Sequence, residues 1–519
     1  MRKAHYKKLL MLVAVMLAFA CIAVACSPAA ASSVKPTESK TESTTESKTE
    51  STVVKGDPVV VKYVNYGAKP DTGDYDAIWK AVNEKLLENL NCTIEIEYLG
   101  SGDASQMALK YAGNEKFDMA FTASWWGYAD NAQNNAFREI TMDEIKANMP
   151  YIYENLPDIA WQQAKVSGKI YMIPNMNWEY PNSVILYRGD LLEKYGMSEL
   201  KTIEDLEAYI AKVAENESGI IPIFTEFLTQ VWLLWPNTWN SCGTLYYDYG
   251  DAENTSALHI AMTDEFMEYA KKMQELYKKG AWPADVMNDT TNQNDKFKNG
   301  LSAVTAYNLG TVNNLALELQ ETHPEWDVKI FDPNLGNKVA LNSFTGNGWV
   351  LTRGTEHAAE AMQIVNYFNE SEEMQKLLNY GFEGINYEMQ DGKLVTLSDV
   401  PEDKKHDIGC NWNMNNSLII NSLVKQDTYE GYAEIKEDFE KNTVEHPLQA
   451  FTFDNSEVQN EVAQMTAVGK EYAALQYGLV DDVEKTVEAY RAALKTAGYE
   501  KVQAEYDRQI KEFMQNYNK

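Results

Sequence analysis

Hydrophobic positions along this chain change period several times, and each change predicts an element. Apolar residues run from Leu9 to Val24, shorter than the roughly 18 residues of a membrane-spanning helix. Residues 27–56 then carry almost no apolar side chain. At 58–66 (PVVVKYVNY) a β-branched run predicts a buried strand, and Gly67, Pro70 and Gly73 mark the loop after it. Ile78, Val82, Leu86, Leu87 and Leu90 share one face of a helix predicted over 76–90. An alternating strand at 92–98, a short helix at 105–112 and a third strand at 117–122 (FDMAFT) follow, ending at Ser124, Trp125 and Trp126. This βαβαβ order predicts a mainly parallel sheet with helices on both faces. Ligands of such sheets sit beyond the carboxyl ends of the strands, which points to Tyr66 and to the loop at 124–128.

A second α/β run begins after Pro174, with strands at 184–187, 301–307 and 327–331. Thr202, with Asp205 three residues on, is placed to cap a helix. Helices are predicted over 263–279, 357–369 and 371–380, and amphipathic helices over 458–476, 480–497 and 502–517 dominate the end of the chain.

The first apolar run follows Arg2, Lys3, Lys7 and Lys8 and ends in small residues before Cys26, the pattern of an export signal. Ala23-Val24-Ala25-Cys26 resembles the lipobox of bacterial lipoproteins, in which the cysteine becomes the acylated first residue. The resemblance implies a signal peptide over 1–25, a lipidated Cys26 and a protein anchored to the outer face of the cell membrane. The plainer reading makes Cys21 and Cys26 small apolar residues of the signal. Residues 26–56 suit a tether: TESKTEST occurs at 37–44 and again at 45–52, and such composition cannot bury a core. A flexible coil of about 30 residues spans roughly 30 Å.

The net charge of −31 becomes −35 once the four basic signal residues are removed. That argues against nucleic acid, whose phosphates demand clustered Lys and Arg, and leaves the lipid as the sole membrane contact. Cys92, Cys242 and Cys410 are an odd set, which argues against a disulfide framework and leaves one optional bridge open.

Several strings in a common order resemble the extracellular solute-binding proteins of ABC importers, of the sugar-binding type. They are WQQAKVSGKIYMIP at 161–174, VILYRGDLLEKYG at 184–196, KTIEDLEAYI at 201–210 and FKNGLSAVTAYN at 297–308. YGFEGINYEM at 380–389, PLQAFTFD at 447–454 and LKTAGYEKVQAEYDRQIKEF at 494–513 resemble a lipoprotein subgroup with a C-terminal helical extension. The resemblance implies an α/β, two-lobed fold of the periplasmic-binding-protein type with interlobe crossovers. The first lobe is expected from 57–176 and 345–382, and the second from 177–344 and 383–519 with the C-terminal helices. Crossovers are expected near 175–183, 338–346 and 380–390. The implied function is capture of a carbohydrate, an oligosaccharide in length, by hinge closure and its delivery to an ABC permease, by a monomer without a cofactor.

A sugar presents apolar C–H faces and a rim of hydroxyls, so its site needs flat rings and planar amides or carboxylates. Candidates at strand ends and crossovers are Tyr66, Trp125, Trp126, Trp178, Glu179, Asn308, Asn347, Trp349 and Glu383. Neighbours on an extended segment face opposite ways, so one of Trp125 and Trp126 is expected to reach solute. Each candidate has a plainer role: core packing for the rings, turn capping for Asn308 and Asn347, a lobe-closing ion pair for Glu179 or Glu383. The rich aromatic run at 231–249 is assigned to the core, with Tyr246 and Tyr247 as outside candidates. The five mature histidines are scattered without metal-ligand spacing, and neither a G-x-S-x-G elbow nor a phosphate loop occurs. Competing readings are a receptor for a peptide or other solute, and a surface glycosidase or glycan adhesin.

Overall fold

The computed structural model describes residues 56–517, apart from 72, 101–103, 114, 181 and 425–427. The signal peptide, Cys26 and the tether fall outside the described residues. Two larger sheets organise the chain. Their strands are β1 (Val59–Asn65), β2 (Cys92–Tyr98), β3 (Met119–Thr122), β4 (Met172–Pro174), β5 (Ser183–Tyr187), β6 (Val304–Asn308), β7 (Lys329–Phe331) and β8 (Gly348–Leu351).

The first sheet has the order β2-β1-β3-β8-β4. β1 runs parallel to β2 and β3, as the βαβαβ pattern predicts, whereas β8 is antiparallel to both β3 and β4. The reversal arises because β8 enters this sheet from the other lobe rather than through a local helical crossover. Helix α1 (Tyr75–Leu90) buries Ile78, Trp79, Val82 and Leu86, and stops where Asn91 turns left-handed and returns its N–H to the Leu86 carbonyl. Leu87, predicted on the buried face, is exposed.

The second sheet, β6-β5-β7, is antiparallel. Along β5 the side chains alternate between two cores. Ile185 and Tyr187 enter one, while Val184 and Leu186 enter another with Leu309, Val312 and Phe439. The first of these cores also takes the C-terminal helices α2 (Val483–Thr496) and α3 (Tyr499–Tyr517). Val487, Tyr490 and Leu494 of α2, and Val502, Tyr506 and Ile510 of α3, fall at helical spacing and are buried there. Fully burying one such apolar side chain contributes about 1.5–3 kcal/mol.

Residues 175–182 lead from β4 to β5, and 341–347 lead back to β8. The third passage differs from expectation. Ile408, Cys410 and Met414 belong to the first-lobe core, and Tyr429 to a second-lobe core. The segment after 383 therefore stays on the first lobe to about 424 instead of crossing at 380–390. Buried amides hold it there: Asn65 Nδ2 donates to the Cys410 carbonyl at 2.7 Å, and Asn416 Nδ2 to the Asn369 carbonyl at 2.8 Å. Cys92, Cys242 and Cys410 are all buried free thiols.

Candidate functional site

The register of β1 with β3 pairs Tyr63 with Met119 and Val64 with Ala120, so the two strands end side by side. Tyr66, just beyond β1, thereby meets the rings that follow β3. Its centroid lies 5.6 Å from Trp125 at 90°, 5.2 Å from Trp126 at 85°, and 5.6 Å from both Phe121 and Trp412. Residues Ser124–Trp126 form a single 3-10 turn rather than the extended segment expected. The indoles still part: Trp125 is 53% exposed and Trp126 only 6%. Trp412 is 45% exposed, with its centroid 6.2 Å from that of Trp125 and the rings inclined at 56°. Two large apolar rings are thus left open to solvent, supported by Tyr66 and Phe121.

The crossovers hold these rings in place. Trp125 Nε1 donates to the Gly346 carbonyl at 2.6 Å. Asn175 N donates to the Asn347 carbonyl at 3.1 Å, and Asn175 Nδ2 to the Trp412 carbonyl at 3.3 Å. Asn347 Oδ1 is buried without a hydrogen-bond partner, an acceptor left free beside this frame. Further along the first crossover, Asn177 Nδ2 donates to Glu179, and Ser417 Oγ donates to Asn177. Glu179 is exposed, and the protein atoms around its carboxyl hold it above the ordinary glutamate range through partial desolvation. The Trp178 ring is half-buried, edge-on to Phe344 at 5.4 Å.

From the second lobe comes Tyr307, near the end of β6, packed edge-on against Phe227 at 5.1 Å. Burial raises its phenol pKa, followed by the proximity of Glu226 and then of Tyr66. Tyr307, on the second lobe, is thus within electrostatic range of Tyr66 on the first. Asn308, beside Tyr307, is exposed and accepts from Thr311 N at 2.9 Å, capping the helix Leu309–Thr322.

Two candidates lie elsewhere. Trp349 is wholly buried, 4.8 Å from the Tyr63 ring, with Nε1 donating to the Asn413 carbonyl at 3.1 Å. It belongs to the core because it is on the central part of a buried strand. Glu383 is exposed beside the hairpin Tyr387–Gln390/Lys393–Thr396, where its charge acts on Lys376 and Tyr387. It is displaced because its segment stays on the first lobe. Conversely, Trp412, Tyr307, Phe227 and Glu226 were not singled out from the sequence. The Asn-rich string 411–416 around Trp412 was the available signal, since asparagines commonly organise irregular backbone.

Residues 77–406 match the family model described as bacterial extracellular solute-binding protein, and 447–515 match a domain of unknown function, DUF3502. A carbohydrate ABC transporter substrate-binding protein of Streptococcus pneumoniae is 26% identical over 478 residues, covering 89% of this chain and 92% of the relative. The crystal structure of the N-glycan transport solute-binding protein NgtS from Streptococcus pneumoniae superimposes with a TM-score of 0.72 at 22% identity, over 88% of this chain and 99% of that one. The alginate-binding protein AlgQ2, crystallised without calcium ion, gives 0.65 at 17% identity, over 89% and 100%. With the family model matching well over half its length, the chain belongs to the bacterial extracellular solute-binding proteins.

Proposed function

We propose that this protein is the lipid-anchored receptor of an ABC importer, that it captures a carbohydrate outside the membrane, and that Cys26 carries the lipid. The exposed pair Trp125 and Trp412 over Tyr66 carries the reading. Ring faces left in water, with amide and carboxylate groups on the adjoining crossover segments, match the C–H faces and hydroxyl rim of a sugar. The similarity to a carbohydrate receptor and to NgtS, which has also been crystallised with Man1GlcNAc and Man5GlcNAc, supports the same class. The reading includes hinge closure. A solute held by Tyr66, Trp125 and Trp412 that gains Tyr307 as the lobes approach has extra affinity for the closed form, which shifts the population. Micromolar capture corresponds to about −8 kcal/mol.

Calorimetry of the mature protein against neutral oligosaccharides and against peptides tests the solute class; binding of peptides alone overturns the carbohydrate reading. Labelled palmitate incorporated by wild type and lost in Cys26→Ala tests the anchor. Deletion of the gene, followed by assays of oligosaccharide uptake and of product release, separates import from a surface glycosidase or adhesin.

A further inference from the structure

The domain of unknown function does more than pack on the second lobe. Its first segment, 449–455, touches both lobes at once. On the second-lobe side, Phe453 stacks on Tyr506 of α3 with centroids 3.6 Å apart, and Phe451 and Phe453 are buried in that core. Gln509, one turn beyond Tyr506, clasps Asp454 twice, accepting from its N–H at 2.9 Å and donating to its carbonyl at 2.7 Å.

On the other side the same residues reach the first lobe. Gln163 Nε2 donates to the Gln449 carbonyl at 3.0 Å, while its Oε1 accepts from Phe344 N of the second crossover at 2.9 Å. Ser167 Oγ, at the tip of the hairpin Lys165–Val166/Lys169–Ile170, donates to Asp454 Oδ2 at 2.7 Å. Asn455 Nδ2 donates to Asp130 Oδ1 at 3.1 Å, and Gln133 Nε2 to the Phe453 carbonyl at 3.4 Å. Asp130 and Gln133 lie on the short helix Tyr128–Gln133, which starts two residues after Trp126. The chain makes its crossovers elsewhere, so this seam is a noncovalent tie between lobes.

Its polar groups are incompletely matched. Gln133 Oε1, Gln449 Nε2 and Asn455 Oδ1 are buried without a hydrogen-bond partner. A buried polar atom left unpaired costs about as much as a hydrogen bond contributes, or more. Separation of the lobes would hydrate all three while breaking the four hydrogen bonds. The two effects oppose each other, which keeps the tie reversible.

We infer that segment 449–455 of the C-terminal domain is an interlobe strap that holds the lobes together without solute and sets the open-to-closed equilibrium. The inference takes hinge closure from the function proposed above, but its primary readout needs no solute. Small-angle scattering of the solute-free mature protein compares wild type with Ser167→Ala/Asp454→Ala and with Asn455→Lys, whose cation would face Asp130. Loosening the strap should increase the radius of gyration by about 1 Å and weaken any measurable solute binding about three- to tenfold, with circular dichroism unchanged. Asn455→Lys should shift both readouts the other way. An unchanged radius in the folded double variant overturns the strap, and so does an equal increase in both variants, which would mark general disruption. If no carbohydrate binds, the scattering comparison still decides the question.

Discussion

Trp125 donates its indole N–H to the carbonyl of Gly346 at 2.6 Å, so a ring more than half open to water is pinned to the second crossover. A pinned ring loses little rotational freedom when a solute stacks on it, and that preorganisation favours affinity. Trp125→Ala should therefore weaken oligosaccharide binding by about 2 kcal/mol, roughly thirtyfold. Calorimetry with the best solute checks this, and Trp125→Phe should recover part of the loss because a flat face remains.

Trp412→Ala should lose affinity on the same scale and leave the melting temperature nearly unchanged, because its ring is exposed. Trp349→Ala should behave in the opposite way. Its ring fills the space between Tyr63 and Phe368, so truncation should cost about 3–5 kcal/mol of stability through a core cavity. Urea unfolding of the pair of variants separates the two roles.

Tyr307→Ala removes the second-lobe ring that lies within electrostatic range of Tyr66. Solute should still perturb Trp125 and Trp412, so saturating solute should retain its effect on tryptophan fluorescence while the affinity falls about tenfold. Scattering on solute addition should show a smaller compaction than in wild type. Equal affinity in the two proteins would place Tyr307 outside the site.

The C-terminal domain rests against a pH-sensitive anchor. His259 packs between Tyr490 and Tyr499, its Nδ1 accepts from Ala261 N at 3.2 Å, and burial lowers its pKa to about 4. The unfolded chain takes up this proton near the ordinary 6.5 and the folded chain does not, so stability is full above about 6.5, falls as pH drops and levels off below about 4. That window corresponds to about 3 kcal/mol. Asp332 acts in the opposite sense. Burial raises it to about 7, so it loses stability as pH rises from the ordinary 3.8 toward 7. Thermal melts between pH 4 and 8 should show the acid-side loss reduced in His259→Gln and exposed more fully in Asp332→Asn.

Gly478 turns the chain at φ +63°, and a Cβ there would lie 2.3 Å from the backbone nitrogen of Gln274 on the helix Asp264–Lys278. Both the left-handed backbone and the close approach demand glycine. Gly478→Ala should lower the melting temperature by several degrees and increase hydrogen exchange in α2, with the first lobe unaffected.

Most elements were legible as local pattern. The alternation at 92–98 became β2, the predicted 263–279 helix became Asp264–Lys278, and Thr202 with Asp205 forms a capping box. Each depends on the period of nearby side chains and on caps a few residues apart, information that a short window contains. The placement of Tyr66 and Trp125 at adjoining strand ends was legible for the same reason, because parallel neighbours finish at the same edge. The third crossover was not. Its position depends on asparagine side chains satisfying buried carbonyls distant in sequence, as Asn65 does for Cys410.

By itself the sequence determined the order of strands and helices, the apolar faces that must be buried, and the aromatic residues that end β1 and β3. Tertiary packing alone decided that Trp412 joins Tyr66, that Trp349 is consumed by the core, and that the strand-end tyrosine of the second lobe comes within electrostatic range of Tyr66. The reason is physical: a local period sets which way a side chain points from its own backbone, whereas its neighbours depend on how every buried surface is closed at once.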